Sequence, residues 1–257
     1  LLAVVGAALF ALSLTGEAAD RAWQLFHVNW LYFTGLAGGS VAIAAVHKIV
    51  KAKWSGVVLR FAEAAVAFFP VSLLGLVLIF TLGYDHIYGP MQEQLHSMAH
   101  AKALWLSKAW MFGRLLVGLS ALYYLGWRLI RADLLPDIAD TAGQAEGARR
   151  ARYDRMLAGF DNSEAGRAAH DAHLNRLAPL YAATYAMVFT LVAFDGIMAL
   201  QPHWFSNLLG GFYFMGSFLG AHMLLALTVM YAGTQTGVWN LISPKQRHDL
   251  GKLCFGF

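Results

Sequence analysis

A chain of 257 residues with 58% apolar and only 13% charged residues, and a mean hydropathy of +0.52, cannot cover a soluble domain, whose composition runs to about a quarter charged residues. The formal net charge of +4 could suit a nucleic-acid binder, but the basic residues fall between long apolar runs, where they set topology instead. A single cysteine, Cys254, excludes an internal disulfide and any cysteine-held iron–sulfur cluster.

Taken in chain order, apolar runs at 1–16, 24–47, 57–83, 104–127, 178–200 and 206–232 predict six spanning segments, and Leu250–Phe257 begins a seventh. Each of the six is long enough for about 30 Å of hydrocarbon at about 1.5 Å per residue, and in lipid a run of this length can satisfy its backbone only as a helix. The fold class expected is therefore an all-α membrane protein, a polytopic helical bundle. Leu1 opens inside an apolar run with no basic flank, which argues against a signal peptide, and both ends read as cut from a longer protein.

Loop charges give an orientation. Lys48, Lys51, Lys53 and Arg60 follow the second run; Arg128, Arg131 and Arg176 bracket the loop after the fourth; Lys245 and Arg247 follow the sixth. The alternate loops are poor in basic residues, with Arg21 alone in Glu17–Arg21, Lys102 alone in Tyr84–Ala103 and none in Gln201–Phe205. By the bias of basic residues towards the cytoplasm, the N-terminus of the multi-pass chain lies inside; the resemblance given below implies a bacterial inner membrane. Trp23, Trp54, Trp105, Trp127 and Trp204 fall near the expected helix ends, where indole rings favour the headgroup layer. Residues 132–176 form one polar insertion, expected to be helical and solvated, with contact to a partner left open.

Two segments are alike: Tyr32-Phe33-x-Gly35-x-x-x-Gly39 and Tyr213-Phe214-x-Gly216-x-x-x-Gly220. Both open segments that run from outside to inside, as a parallel repeat would require, although small-xxx-small is also a common helix-packing pattern. A repeat would divide the chain into a peripheral helix with its outer loop (1–23), a first four-helix bundle (24–200) and the start of a second, incomplete bundle (201–257).

Ionisable groups inside spanning runs are the sharpest functional signal, because each costs about 2.5–3.5 kcal/mol near a helix centre. Glu63 and Asp195 are the acids so placed, joined by Arg114 and His222, with His47 and His27 near the ends of the second run. A ladder from His47 and Glu63 through His222 and Arg114 to Asp195 and His203 could carry protons, since carboxylates and imidazoles exchange them readily once burial shifts their titration. The alternative is a buried structural ion pair on Arg114 with hydrogen-bonded histidines. Asp195, His203 and Trp204 also place a carboxylate, an imidazole and an aromatic ring at the outer face, the residue types a quinol head needs. An ordinary turn with tryptophan anchoring fits them equally. His96 and His100 lie four apart without a third ligand, and His222 lacks a clear partner for haem, so no metal site is expected. No P-loop, dinucleotide fingerprint or hydrolase motif occurs.

Three stretches carry a family likeness: Trp54 to Ala64 with Arg60 and Glu63, Phe194 to Ser206 with Asp195, Gln201, Pro202, His203 and Trp204, and His248 to Leu253. In them the chain resembles the NrfD/PsrC-like membrane subunits, and within that family the ActF type found in alternative complex III. The resemblance implies two four-helix bundles. It also implies a role as an integral subunit of a bacterial quinol:electron acceptor oxidoreductase, such as a quinol:cytochrome c oxidoreductase, in a respiratory or photosynthetic chain. It implies as partners a homologous ActC-like subunit, an iron–sulfur subunit and multihaem cytochrome c subunits, with a terminal oxidase as a further candidate. Those subunits would hold the haem and iron–sulfur centres, leaving quinone or menaquinone as the one cofactor this chain could contact. Asp195 matches an acid near the family's outer quinone pocket. In alternative complex III, however, quinol oxidation is assigned to the ActC-like sister and a proton path to ActF-like subunits, which makes Glu63 a member of that path. From other classes, a secondary transporter and a structural membrane anchor for peripheral redox subunits remain open.

Overall fold

Pro70 has no amide hydrogen, so the carbonyl of Val66, four residues upstream, loses its helical partner. In the computed structural model, which describes residues 2–14 and 18–257, the chain tightens just ahead of this point. Helix α3 (Gly56–Glu63) passes into a 3-10 segment (Ala64–Phe68) before α4 (Phe69–Leu78) resumes with Pro70 in its first turn. A wider π-helical segment, Ile79–Gly83, then joins α4 to α5 (Tyr84–Gln94). The whole stretch Gly56–Ser97 stays helical for 42 residues, so Pro70 changes the winding without breaking the span.

The remaining elements are α1 (Leu2–Ser13), α2 (Ala19–Ile49), α6 (His100–Trp105), α7 (Lys108–Thr141), α8 (Gly147–Leu157), α9 (Glu164–Gly196), α10 (Leu209–Thr236) and α11 (Pro244–Gly256). All regular structure among the described residues is helical, in keeping with the expected class. Four helical stretches are long and apolar enough to cross a bilayer: Ala19–Ile49, Gly56–Ser97, Glu164–Leu200 and Leu209–Thr236. The chain is a membrane protein on that ground, with fewer such helices than the six expected.

Two of the expected six differ for physical reasons. Of the first, at 1–16, the described helix is α1, whose 12 residues span about 18 Å, short of the hydrocarbon thickness; residues 15 and 16 lie outside the described residues. The fourth, at 104–127, falls mostly on α7, whose 34 residues are ample in length but carry Arg114 in the apolar part. The expected seventh begins within α11, a helix of 13 residues. The insertion expected at 132–176 is helical as read. It is largely the extension of its two neighbours, with α7 running on to Thr141 and α9 starting at Glu164, bridged by α8.

Helix α2 lies at the centre, with Val41, Ile43 and Ala45 fully buried. It packs against the α3–α5 run, α10 and α9. The paired motifs explain the contact with α10. A Cβ on Gly39 would come within 2.5 Å of the Ser217 carbonyl oxygen, and one on Gly35 within 2.6 Å of Ser217 Oγ. Opposite them, a Cβ on Gly220 would meet Leu36 at 3.0 Å, and Tyr213 donates to the Leu31 carbonyl at 2.7 Å. Position numbers rise together along both helices, so the two run parallel, with Ser217 against both Gly35 and Gly39.

Buried phenols fasten the other crossings. Tyr181 donates to the Gly38 carbonyl at 3.1 Å and Tyr185 to the Phe214 carbonyl at 2.8 Å. The outside is apolar instead, with Val117 and Met187 69% exposed and Phe212 75% exposed, a surface that suits acyl chains and not water.

The glycine contacts give a paired expectation. Gly39→Leu should lower stability in detergent by about 1–3 kcal/mol or more, because the Ser217 backbone cannot withdraw as a flexible side chain could. Gly216→Ala, at a motif glycine with nothing within 4 Å, should leave the melting temperature nearly unchanged.

Candidate functional site

The polar groups inside the bundle gather in three layers, carried by α2, the α3–α5 run, α7 and α9. The first lies at the basic end. Arg60 and Glu63, three apart on α3, share a helix face, and Arg60 Nη1 donates to Glu63 Oε2. The same guanidinium reaches α7, donating to Asp133 Oδ2 at 3.1 Å and to Asp137 Oδ2 at 2.7 Å. Lys48, from the end of α2, completes the set by pairing with Asp133. Two cations thus face three carboxylates. Glu63 is 2% exposed and its Oε1 has no hydrogen-bond partner, so the odd carboxylate has a free oxygen in a buried place. A cavity of about 510 Å³ adjoins this layer, with His47 and Asp171 in its wall and exposed Lys51 and Lys53 towards solvent.

The second layer is uncharged. Thr34 Oγ1 and Ser72 Oγ lie 2.6 Å apart, and Ser72 Oγ lies 2.7 Å from the Tyr123 hydroxyl. Thr34 and Ser72 are fully buried, and the Tyr123 ring is clamped by stacking on Phe69 at 4.1 Å between centroids. Trp30 donates to the Ser72 carbonyl at 2.8 Å, and Gly75 leaves room for its indole. Each of the three hydroxyls can donate and accept, so the chain can reverse its hydrogen-bond direction without moving a heavy atom.

The third layer is the pair Arg114–Asp195. Nε donates to Asp195 Oδ2 at 2.6 Å and Nη2 to Oδ1 at 2.5 Å, a two-pronged clasp, while Nη1 donates to the Trp105 carbonyl at 2.8 Å. The guanidinium lies over the Trp105 ring, 3.9 Å from its centroid. Asp195 is fully buried, and its neighbourhood is tied down by Tyr88, which donates to its carbonyl at 3.1 Å, and by His27, bonded to the Gly196 carbonyl at 2.8 Å. Along α7 the layers are evenly set: Asp133, Tyr123 and Arg114 are ten and nine residues apart, or about 14–15 Å in rise.

The residues singled out from sequence distribute unevenly over these layers. Arg114 and Asp195 meet, and Glu63 sits in the basic-end layer. His47 lines the cavity there, with Nδ1 on the Ile43 carbonyl at 2.8 Å and its ring against Trp54. His222 does not meet Arg114: Nδ1 is bonded to the Phe218 carbonyl at 3.0 Å, its ring stacks on Phe257, and among the described residues no hydrogen bond or ion pair joins it to Arg114. His203 is exposed at the far end. Trp204 lines a small apolar slot of about 140 Å³ with Trp105, Phe194 and Phe205, but neither Asp195 nor His203 forms its wall. Among the described residues no three His, Cys, Asp or Glu side chains gather as a metal-binding group, and His96 and His100 join no such set.

Sequence reasoning missed Asp133, Asp137 and the hydroxyl trio. Asp133 and Asp137 lie one helical turn apart directly after a basic pair, a spacing that would have aimed both at one neighbour. The trio carries no charge, so nothing in the hydropathy pattern marks it. No protein-family model matches the chain, and no curated protein matches it either.

Two expectations follow from the charged layers. Arg114→Ala should destabilise the protein in detergent by about 3–5 kcal/mol, because it leaves Asp195 buried without its partner. Replacing the pair together, Arg114→Met with Asp195→Leu, should cost less than Arg114→Ala alone when unfolding is measured the same way. At the basic end, burial by itself would raise the Asp133 carboxyl, but hydrogen bonding with Glu63 and Lys48 and the charges of Lys48 and Arg60 outweigh burial and hold it below the ordinary range. A carboxyl depressed on folding contributes stability above its ordinary pKa of about 4 and loses that contribution as the pH falls through its lowered one. Melting temperature should therefore fall on acidification, and Asp133→Asn should flatten that decline while lowering the value at pH 7.

Proposed function

We propose that this chain is the proton-conducting membrane subunit of a quinol:electron acceptor oxidoreductase, in which partner subunits carry the iron–sulfur and haem centres. The observation that carries the reading is the succession of three polar layers across the bundle, with Glu63, Asp133, the hydroxyl chain and Asp195 buried. They comprise the five-residue charged layer at Glu63, the hydroxyl chain Thr34–Ser72–Tyr123 and the Arg114–Asp195 pair. Buried polar groups in a spanning bundle are expensive and mark proton relays and ion pathways. Here the basic-end layer has a cavity beside it and a carboxylate oxygen without a partner, which is where a proton can be received. The hydroxyls can pass it on, since each is within hydrogen-bond distance of the next. Water would have to bridge the helical turns between layers, and a shift of the Arg114–Asp195 pair would release the proton at the other end.

The likeness to NrfD/PsrC-like and ActF-type subunits supports the redox setting, with a quinol oxidised by the assembly, an ActC-like sister, an iron–sulfur subunit and multihaem cytochromes as partners, and the bacterial inner membrane as location. A quinone pocket has less support here. The slot beside Trp204 is about 140 Å³, below the roughly 300–1,000 Å³ of usual ligand sites, and both oxygens of Asp195 are taken up by Arg114.

One observation favours a rival. The 3-10 and π segments flanking α4 give this span an irregular backbone, and secondary transporters place substrate sites at such breaks. Purification separates the two readings, because a transporter leaves the membrane alone whereas the proposed subunit brings haem and iron–sulfur absorbance with it.

The proton path itself is tested in the intact complex with Glu63→Gln and Ser72→Ala. The expected result is a lower ratio of protons moved per electron, with the complex assembled and quinol oxidation continuing. An unchanged ratio in both variants would overturn the proton-path reading.

A further inference from the structure

On the outer flank of α7, at the basic end, the bundle presents three arginines that pair with no carboxylate among the described residues. Helix α8 faces this flank and carries Arg149, Arg150, Arg152 and Arg155. Arg150 is committed, with Nε on Asp154 at 2.9 Å and Nη1 on the Ala142 carbonyl at 2.9 Å. Arg152 and Arg155 are exposed, and among the described residues neither they nor Arg131 of α7 has a carboxylate within ion-pair distance. Arg131 instead lies over the Trp127 ring, 5.5 Å from its centroid. These three arginines share a cavity of about 460 Å³, whose remaining wall includes Val66, Ile130 and Leu134 and no acid. A second cavity of about 370 Å³, on the other flank of Trp127 and Arg131, is also free of carboxylates.

The contrast with the cavity beside Glu63 is informative. That one is also rich in Lys and Arg, but Asp133, Asp137 and Asp171 line it, so its charge is balanced from within. The α7–α8 cleft has the positive charge without the compensation. It joins three guanidinium groups to an apolar wall at the level of an interfacial tryptophan, and this is the layout of an amphiphile with an anionic head. The charge bias of the loops places this end in the cytoplasmic leaflet, whose anionic lipids attract basic residues. A free anion would leave the apolar wall unused, and a soluble acidic protein would have to enter the headgroup layer.

We propose that the α7–α8 cleft binds an anionic phospholipid, its phosphate held by Arg131, Arg152 and Arg155 and an acyl chain laid along Val66, Ile130 and Leu134. Arg–phosphate contacts are bidentate and geometrically selective, so the site should prefer an anionic head over a zwitterionic one. Bound there, the lipid would pin α8 to α7 and so hold the extension of α7 that carries Asp133 and Asp137.

The test is native mass spectrometry of the purified protein in a neutral detergent, titrated separately with phosphatidylglycerol, phosphatidylcholine and inorganic phosphate. Phosphatidylglycerol should be retained in preference to phosphatidylcholine. The double variant Arg152→Gln/Arg155→Gln should weaken its retention roughly thirtyfold, about 1 kcal/mol for each basic residue near the anionic head. Arg149→Gln, on the same helix but outside the cavity wall, should change retention less than threefold, and far-ultraviolet circular dichroism should show the helices of every variant intact. Equal retention of the two lipids, an equal loss in Arg149→Gln, or displacement of phosphatidylglycerol by millimolar inorganic phosphate would each overturn the proposal.

Discussion

A carboxylate taken out of water into hydrocarbon must be met by a donor or give up its charge, because nothing else in the bilayer can solvate it. This constraint orders the interior of the bundle. Asp195 is clasped through both oxygens by Arg114, whose remaining valence goes to a backbone carbonyl and an indole face. Glu63 shares Arg60 with two aspartates, and Lys48 joins from a third helix. Each cation reaches across to another helix, so electrostatic pairing also fixes which helices lie together. The ties join α3 to α7, α2 to α7, and α7 to α9.

Within the apolar layers between these pairs, close approach is governed by size and not by charge. Lipid offers no hydrophobic incentive for helices to associate, so contact depends on packing and on hydrogen bonds that survive without water. Gly35 and Gly39 let α10 approach α2 until backbone nearly meets backbone. The tyrosines supply the second term, bonding Leu31, Gly38 and Phe214 carbonyls from neighbouring helices. A helical carbonyl keeps a second lone pair after its own ladder bond is made, and the phenols use it.

Much of this could be read from the residues alone, and the reason differs by feature. Span positions follow from hydropathy, so α2, α9 and α10 fall where apolar runs place them, with ends displaced where polar turns continue the helix. The Arg114–Asp195 contact follows from cost, since an isolated buried acid and an isolated buried base in one bundle are each other's cheapest partner. Residues 132–176 read as a helical, solvated insertion and are helical, but polarity alone did not show that 132–141 and 164–176 continue α7 and α9 beyond the apolar zone. The hydroxyl trio was invisible because Thr34, Ser72 and Tyr123 are ordinary residues of membrane helices. Only the crossing of three helices puts their oxygens 2.6 and 2.7 Å apart.

Helix α7 runs continuously from Lys108 to Thr141 and contributes Arg114, Tyr123 and Asp133 to the three polar layers. A rod of that kind transmits torque. A rotation of α7 about its axis by a few tens of degrees would turn all three side chains at once, loosening the clasp on Asp195 as it realigns Tyr123 and Asp133. The α3–α5 run opposite, with its 3-10 and π turns, is the compliant partner, able to absorb such a rotation by exchanging one winding for the other. The bundle thus sets one continuous helix, shared by all three polar layers, against a neighbour whose winding changes twice.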